Sequence, residues 1–182
     1  MSIKLNRARL SFPRLWQADA FDDTQKPAFS GTFILAKGSP EHKAISEEIK
    51  RVIAEKWPKG KPASLKVCLR DGAEKGDLDG FGEDVVFFNA RNPRRPTIVD
   101  RDRTPLQEAD GKPYAGCYVA VLLDVWAQDN KFGKRVNATL TGVQFVADGE
   151  AFGVGTVATA DDFDDLSGEG SGVETEDDDI FA

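Results

Sequence analysis

Two long stretches of alternating polarity, residues 114–128 and 134–147, are joined by the turn-rich segment DNKFG, and this pair constrains the chain more than any other feature. Alternation at period two marks half-buried strands, and Asp129, Asn130 and Gly133 supply the turn chemistry that folds such a pair into a hairpin. In the first stretch Cys117, Val119, Val121, Leu123 and Val125 form one unbroken apolar face suited to a core. The opposite face carries Tyr114, Gly116, Tyr118, Ala120, Leu122, Asp124 and Trp126, a mixture of rings with small and polar residues that differs from an ordinary solvated face. In the second stretch Val136, Ala138, Leu140 and Val146 continue the core, and Arg135, Asn137, Thr139 and Thr141 point outward.

The rest of the chain supplies shorter pieces. Residues 3–12 read as a strand that changes phase: Ile3 and Leu5 share one parity, Ala8, Leu10 and Phe12 the other, which predicts a bulge near Asn6-Arg7. Pro13 ends that strand, and residues 17–28 form a polar loop. A second strand spans residues 29–36. Ser39-Pro40 then reads as an N-cap followed by a first-turn proline, opening a helix with the stripe Ala44, Ile45, Ile49, Val52, Ile53 and Trp57. Pro58 and Gly60 close the helix, and Lys50, Arg51 and Lys56 are solvated charges on its outer side. Short strands follow at 65–69, 85–89 and 97–99, with a last edge strand at 152–158; residues 70–84 are a surface loop rich in Gly and Asp. Short strands, one helix and long loops suit a mainly β fold, a small five-stranded barrel with insertions.

Charge divides the chain in two. The net charge is −7, but ten acids and no Lys or Arg lie in residues 161–182, so residues 1–160 hold 21 acids against 24 bases, a net of +3. A mildly basic body with an acidic tail suggests nucleic-acid traffic. The tail composition, acids with Gly and Ser, predicts disorder, giving one domain over residues 1–160 and a tail over 161–182. Its last residues differ: Ile180 and Phe181 stand directly behind Asp177, Asp178 and Asp179, an apolar tip suited to docking on a partner. No apolar run approaches the roughly 20 residues of a membrane span, and the N-terminus lacks a signal-peptide apolar region. Cys68 and Cys117, each inside an apolar strand pattern, suit two free thiols in a reducing cytosol. His42, the single histidine, lies on a charged helix, which argues against a His-based triad and against a multi-His metal site within one chain. No cofactor or metal is expected.

Rings and cations cluster where a single strand of nucleic acid could use them. Bases stack on aromatic faces and phosphates meet Lys and Arg, with no base-specific hydrogen bond required. The stacking candidates are Trp16, Tyr114, Tyr118, Trp126 and Phe132; the phosphate candidates are Arg7, Arg9, Arg14, Arg91, Arg94, Arg95, Lys131, Lys134 and Arg135. For each ring alone, packing on a neighbouring element is the competing role. Trp16 beneath a loop, and salt bridges from Asp100 and Asp102 across the arginine-rich stretch at 91–103, are the corresponding structural alternatives.

With these residues assembled, the chain resembles the bacteriophage single-stranded DNA-binding proteins of the OB-fold class, through a phage family long catalogued only as a domain of unknown function. The resemblance covers most of residues 1–155, is strongest from 92 to 152, and is carried by GCYVAVLLDVWAQDNKFGKRVNATLTGVQFVADGEAF. It implies an OB-type barrel with ligand on the barrel face and adjacent loops, a role in phage replication and recombination, and a place in the cytoplasm of the infected bacterial cell. EDDDIFA is similar to the acidic, aromatic-tipped tails of bacterial and phage single-strand binders. The likeness implies that Asp177, Asp178, Asp179, Ile180 and Phe181 recruit replication and recombination proteins and compete with DNA for a cationic groove. Bacterial tails commonly end on a phenylalanine whose carboxylate the partner reads; here Ala182 follows Phe181, which argues against that same host pocket. Monomer and homodimer are both open. Two readings compete from other classes: a metal-dependent nuclease or recombination enzyme using Asp71, Asp77, Asp79, Glu83 and Asp84, and a protein-interaction adaptor without DNA affinity. The carboxylates of the first lie in a Gly-rich loop without ordered metal-ligand spacing.

Overall fold

The computed structural model describes residues 2–20, 22–153 and 160–168. The elements run β1 (Ser2–Asp19), β2 (Ala28–Ala36), α1 (Pro40–Lys56), β3 (Lys66–Val67), β4 (Leu69–Asp71), β5 (Val85–Asn92), β6 (Thr97–Val99), β7 (Tyr118–Asn130) and β8 (Gly133–Ala147). The fold is mainly β, as the alternation requires. β1 pairs antiparallel with β2 on one side and β7 on the other, β2 continues to β5, and β7 to β8. A single parallel pairing of Arg91 with Thr139 then joins β5 to β8 and closes a five-stranded barrel. The Asn92 amide supports that seam by donating to the Leu140 carbonyl at 2.8 Å. The short strands β3 and β6 extend β8, and β4 extends β5.

Inward-facing residues of every barrel strand meet in one core that includes Leu5, Leu10, Phe33, Phe88, Val119, Leu123 and Leu140. Phe33 and Phe88 stack at 5.3 Å between centroids. Burying side chains of this size stabilises the fold by roughly 1.5–3 kcal/mol each. α1 covers the barrel with Ile45, Ile49 and Val52. It begins where its cap chemistry places it, with the Ser39 side chain accepting from the His42 backbone N–H and Pro40 in the first turn. Arg51 is not a free solvated charge. Its guanidinium grips Glu48 through two hydrogen bonds of 2.7 and 3.0 Å and reaches Glu55 at 2.8 Å, because Glu48 is buried on this helix and needs a partner.

The bulge at Asn6-Arg7 is present, between the Leu5–Val121 and Ala8–Val119 pairs. A second one overturns two expectations. Pro13 does not end β1, which continues to Asp19, and Phe12 does not face the core. Ser11 pairs with Thr32 but Arg14 with Ser30, so β1 carries one extra residue there, and proline is tolerated at such a bulge. Phe12 adopts φ +45° and is half exposed. β8 is bulged likewise: Leu122 pairs with Gly142 and Leu123 with Leu140, leaving Thr141 unmatched. The alternation flips there, so Val143 and Phe145 enter the core instead of Val146. The strand expected at 65–69 is broken at Cys68 into β3 and β4. The edge strand expected at 152–158 lies outside the described residues beyond Gly153; Phe152 and Gly153 form a turn.

The loop between β4 and β5 is packed. Phe87 faces away from the core yet is fully buried, because Phe81 lies edge-on against it at 5.2 Å. A 3-10 turn, Gly72–Lys75, starts this loop with the Asp71 carboxylate accepting from the Ala73 N–H. That bond, and the Lys37 ammonium 3.0 Å away, hold the Asp71 carboxyl below the usual range. Gly72 is buried against the Gly82 carbonyl and Val85, where a Cβ would collide. Among the described residues no helix is long and apolar enough to cross a membrane.

Candidate nucleic-acid interface

Strand pairing lays a row of outward-facing residues across the barrel: Arg14 on β1 opposite Ser30 on β2, Ser30 opposite Arg91 on β5, and Arg91 opposite Thr139 on β8. Three inter-strand steps make this row about 14 Å wide. Two clefts meet along it, sharing Gln25, Ala28, Asn89 and Arg91. The larger, about 640 Å³, runs toward the β7–β8 hairpin and is walled by Trp126, Phe132, Arg135, Lys66, Arg70 and Lys26. The smaller, about 400 Å³, runs toward β1 and is lined by Phe12, Arg14 and Lys75.

Local chemistry fixes each wall. Trp126 sits on the outer parity of β7 and keeps 44% of its surface open, while its indole N–H donates to the Thr139 hydroxyl at 2.9 Å and orients the ring. Phe132 crowns the hairpin turn, 73% exposed, with the Lys131 ammonium 5.1 Å from its ring centre. The Arg91 guanidinium donates to the Gln25 side-chain oxygen and the Lys26 carbonyl, so the 22–27 loop holds it over the seam. Arg70 is steadied by Glu74 and by the Phe87 ring. On the floor the Asn137 amide donates to Gln128 at 3.1 Å, and Thr32 to Asn89 at 2.6 Å. Open ring faces beside guanidinium and ammonium groups can accept flat π-systems and anionic oxygens together.

A second aromatic-cationic cluster lies at the other end of β7. Arg7 stands over the Tyr118 ring at 4.1 Å. Arg9 donates to the Gly116 and Glu150 carbonyls and covers the Phe152 ring at 4.3 Å. The Tyr114 hydroxyl donates to Asp148 at 2.7 Å, a bond that raises the phenol's pKa. These groups hold the chain after β8 against the barrel.

The sequence model of the family described as "Enterobacter phage Enc34, ssDNA-binding protein" matches residues 1–180. The chain belongs to this family. A relative in Acyrthosiphon pisum secondary endosymbiont phage 1, putative protein p50, is 38% identical over 177 residues, covering 92% of this chain and 95% of the relative. Among solved structures, the single-stranded DNA-binding protein of bacteriophage Enc34 in complex with ssDNA aligns with TM-score 0.72 at 29% identity, covering 84% of this chain and 89% of that one. The gp2.5 single-stranded DNA binding protein of bacteriophage T7 aligns at TM-score 0.58 over 90% of this chain and 97% of its own; at 14% identity the likeness is one of fold.

Within this Enc34-family barrel, the residues singled out from the sequence fall into three places. Trp126, Phe132, Arg91 and Arg135 wall the larger cleft, and Arg14 lines the smaller, ion-paired with Asp19. Arg7, Arg9, Tyr114 and Tyr118 gather in the cluster at the far end of β7, eight residues and about 26 Å from Trp126 along the strand. Arg94, Lys131 and Lys134 are exposed without lining a cleft, while Arg95 donates to the carbonyl of the half-buried Trp16 and lies over the Phe29 ring. Sequence reasoning missed Phe12, Gln25, Lys26, Lys66, Arg70, Lys75 and Asn89 as cleft residues. The one signal available was Arg70 close to Lys66 beside a short strand. Of the loop acids, Asp79 accepts from the Gly153 N–H, and no three His, Cys, Asp or Glu side chains converge as a metal site among the described residues. Asp177, Asp178, Asp179, Ile180 and Phe181 lie outside the described residues.

Proposed function

We propose that this protein is a non-catalytic binder of single-stranded DNA, largely indifferent to sequence, that acts in phage DNA replication and recombination. The observation that carries the reading is the larger cleft, where the open faces of Trp126 and Phe132 stand among Arg91, Arg135, Lys66 and Lys26. Each base stacked there contributes about 1–3 kcal/mol, and each phosphate neutralised releases counterions. Lys131, Lys134, Arg94 and Arg95 add a cationic margin that draws the strand in. Membership of a family named for a single-strand binder, and the fold shared with a relative solved with ssDNA, support the same reading. The acidic tail competes with DNA for the cleft, and its Ile180-Phe181 tip recruits a partner protein.

The test is fluorescence anisotropy of the full chain with labelled oligo-dT and with duplex of equal length, across a salt series. Preference for the single strand with a steep salt slope is the expected result. Equal affinity for duplex, or no binding at low salt, would overturn the reading, and the second outcome would favour an adaptor.

A further inference from the structure

The smaller cleft contains an arrangement that the larger one lacks. Lys75 projects from the 3-10 turn Gly72–Lys75 into a box of three rings, its ammonium 5.4 Å from the centroid of Phe12, 5.7 Å from Phe81 and 5.2 Å from Phe87. Cation–π attraction of this kind holds a lysine in place without neutralising its charge. The turn behind it is itself fixed, capped by Asp71, tied to Lys37 and seated on Gly72.

Phe12 forms one wall of that box and is half exposed, although its neighbours Leu10 and Leu15 are fully buried. The extra residue in β1 turns it outward, and its φ of +45° is a conformation that side-chain-bearing residues rarely adopt. Bulges re-aim side chains, and strained backbone gathers at binding sites. Arg14, on the far side of the same bulge, lines the same cleft. The cleft adjoins the larger one along a common border formed by Gln25, Ala28, Asn89 and Arg91.

We infer that the smaller cleft is a second subsite for the DNA strand, in which a base stacks on the open face of Phe12 while Lys75 and Arg14 hold the adjoining phosphates. The inference rests on the single-strand-binding reading and extends it. A short strand settles between Trp126 and Phe132; a longer one runs over Arg91 and the barrel seam to Phe12.

The experiment is a titration of oligo-dT of increasing length against full-length wild type, Phe12→Ala, Lys75→Gln and Lys75→Arg, with thermal melts to establish that each variant folds. Phe12→Ala is expected to bind the shortest oligonucleotides like wild type and to lose about fivefold to 150-fold on long ones, the equivalent of one stacked base. Lys75→Gln is expected to lower the slope of log affinity against log salt by about 0.7 on long oligonucleotides alone, and Lys75→Arg to restore it. Variants that match wild type at every length would overturn the subsite. So would an equal loss at every length, which would mean that one cleft holds the whole strand. Failure of the wild type to bind any oligonucleotide would instead overturn the function on which the subsite rests.

Discussion

Trp126 has two faces with different tasks: its N–H is fixed to Thr139, and its ring is left open to the cleft. Truncation there removes a platform without opening the core. Trp126→Ala is expected to weaken oligo-dT binding by about fivefold to 150-fold, with little change in melting temperature, and Trp126→Phe to keep most of the affinity. Loss of folding in Trp126→Ala would show the ring to be structural. The two thiols behave in the opposite sense. Burial pushes Cys68 and Cys117 each up to about 11, so at pH 8 both stay protonated in the folded chain. An aromatic disulfide reagent at pH 8 is therefore expected to label the fully buried Cys117 slowly in the native protein and fast in urea, with Cys68, half-buried at the larger cleft, reacting first; rapid native labelling of Cys117 would contradict the packing. The fate of single rings also marks a limit of sequence. Tyr118 and Trp126 share a strand and a parity, and Arg7 and Arg9 are as cationic as Arg91 and Arg135, but only strand pairing decides which end of the sheet faces an open cleft.

Elements were legible in proportion to how local their causes are. The inward face of β7, the Ser39-Pro40 start of α1 and the bulge at Asn6-Arg7 each follow from residues adjacent in sequence, and each is in the structure. The bulges at Phe12-Pro13 and Thr141 were not legible. Both shift register against a partner strand, and the residues beside them are ambiguous: Pro13 reads equally as a strand end, and Gly142 equally as a close backbone approach. The clefts were opaque for a related reason, since residues 12, 25, 70, 75 and 91 meet only after the barrel closes. On α1, the buried Glu48 joins sequence to pH response. The Arg51 hydrogen bonds outweigh burial and hold the Glu48 carboxyl below the usual carboxylate range, so the folded form binds its proton less readily than the unfolded chain. The stabilisation is accordingly complete above about pH 5 and is lost as pH falls through the lowered folded value. Glu48→Gln is expected to cost about 1 kcal/mol at pH 7, allowing for the exposure of Arg51, and to flatten the decline of stability in acid. An unchanged acid limb in urea titrations between pH 6 and 3 would remove Glu48 from the account.

For the molecule as a whole, the basic body and acidic tail carry opposite charge on one chain. On the proposed reading, the tail's ten acids, tethered at high local concentration, would rival DNA phosphates most strongly when salt is low. Deleting residues 161–182 is expected to tighten oligo-dT binding severalfold at about 50 mM salt, with the gain shrinking by about 300 mM; unchanged or weaker binding at low salt would refute the competition. The seam adds a mechanical consequence. The barrel is shut by one parallel pair, Arg91 with Thr139, and by the Asn92 amide, whereas its other joins are long antiparallel ladders. That weakest join lies beneath the middle of the groove. In the proposed binding mode, a strand stretched from Phe132 to Phe12 would bridge it like a clasp, tying β2 and β5 to β7 and β8, so that occupancy would favour barrel closure. The same mode would leave this join free to breathe in the unbound protein and latch it in the loaded one.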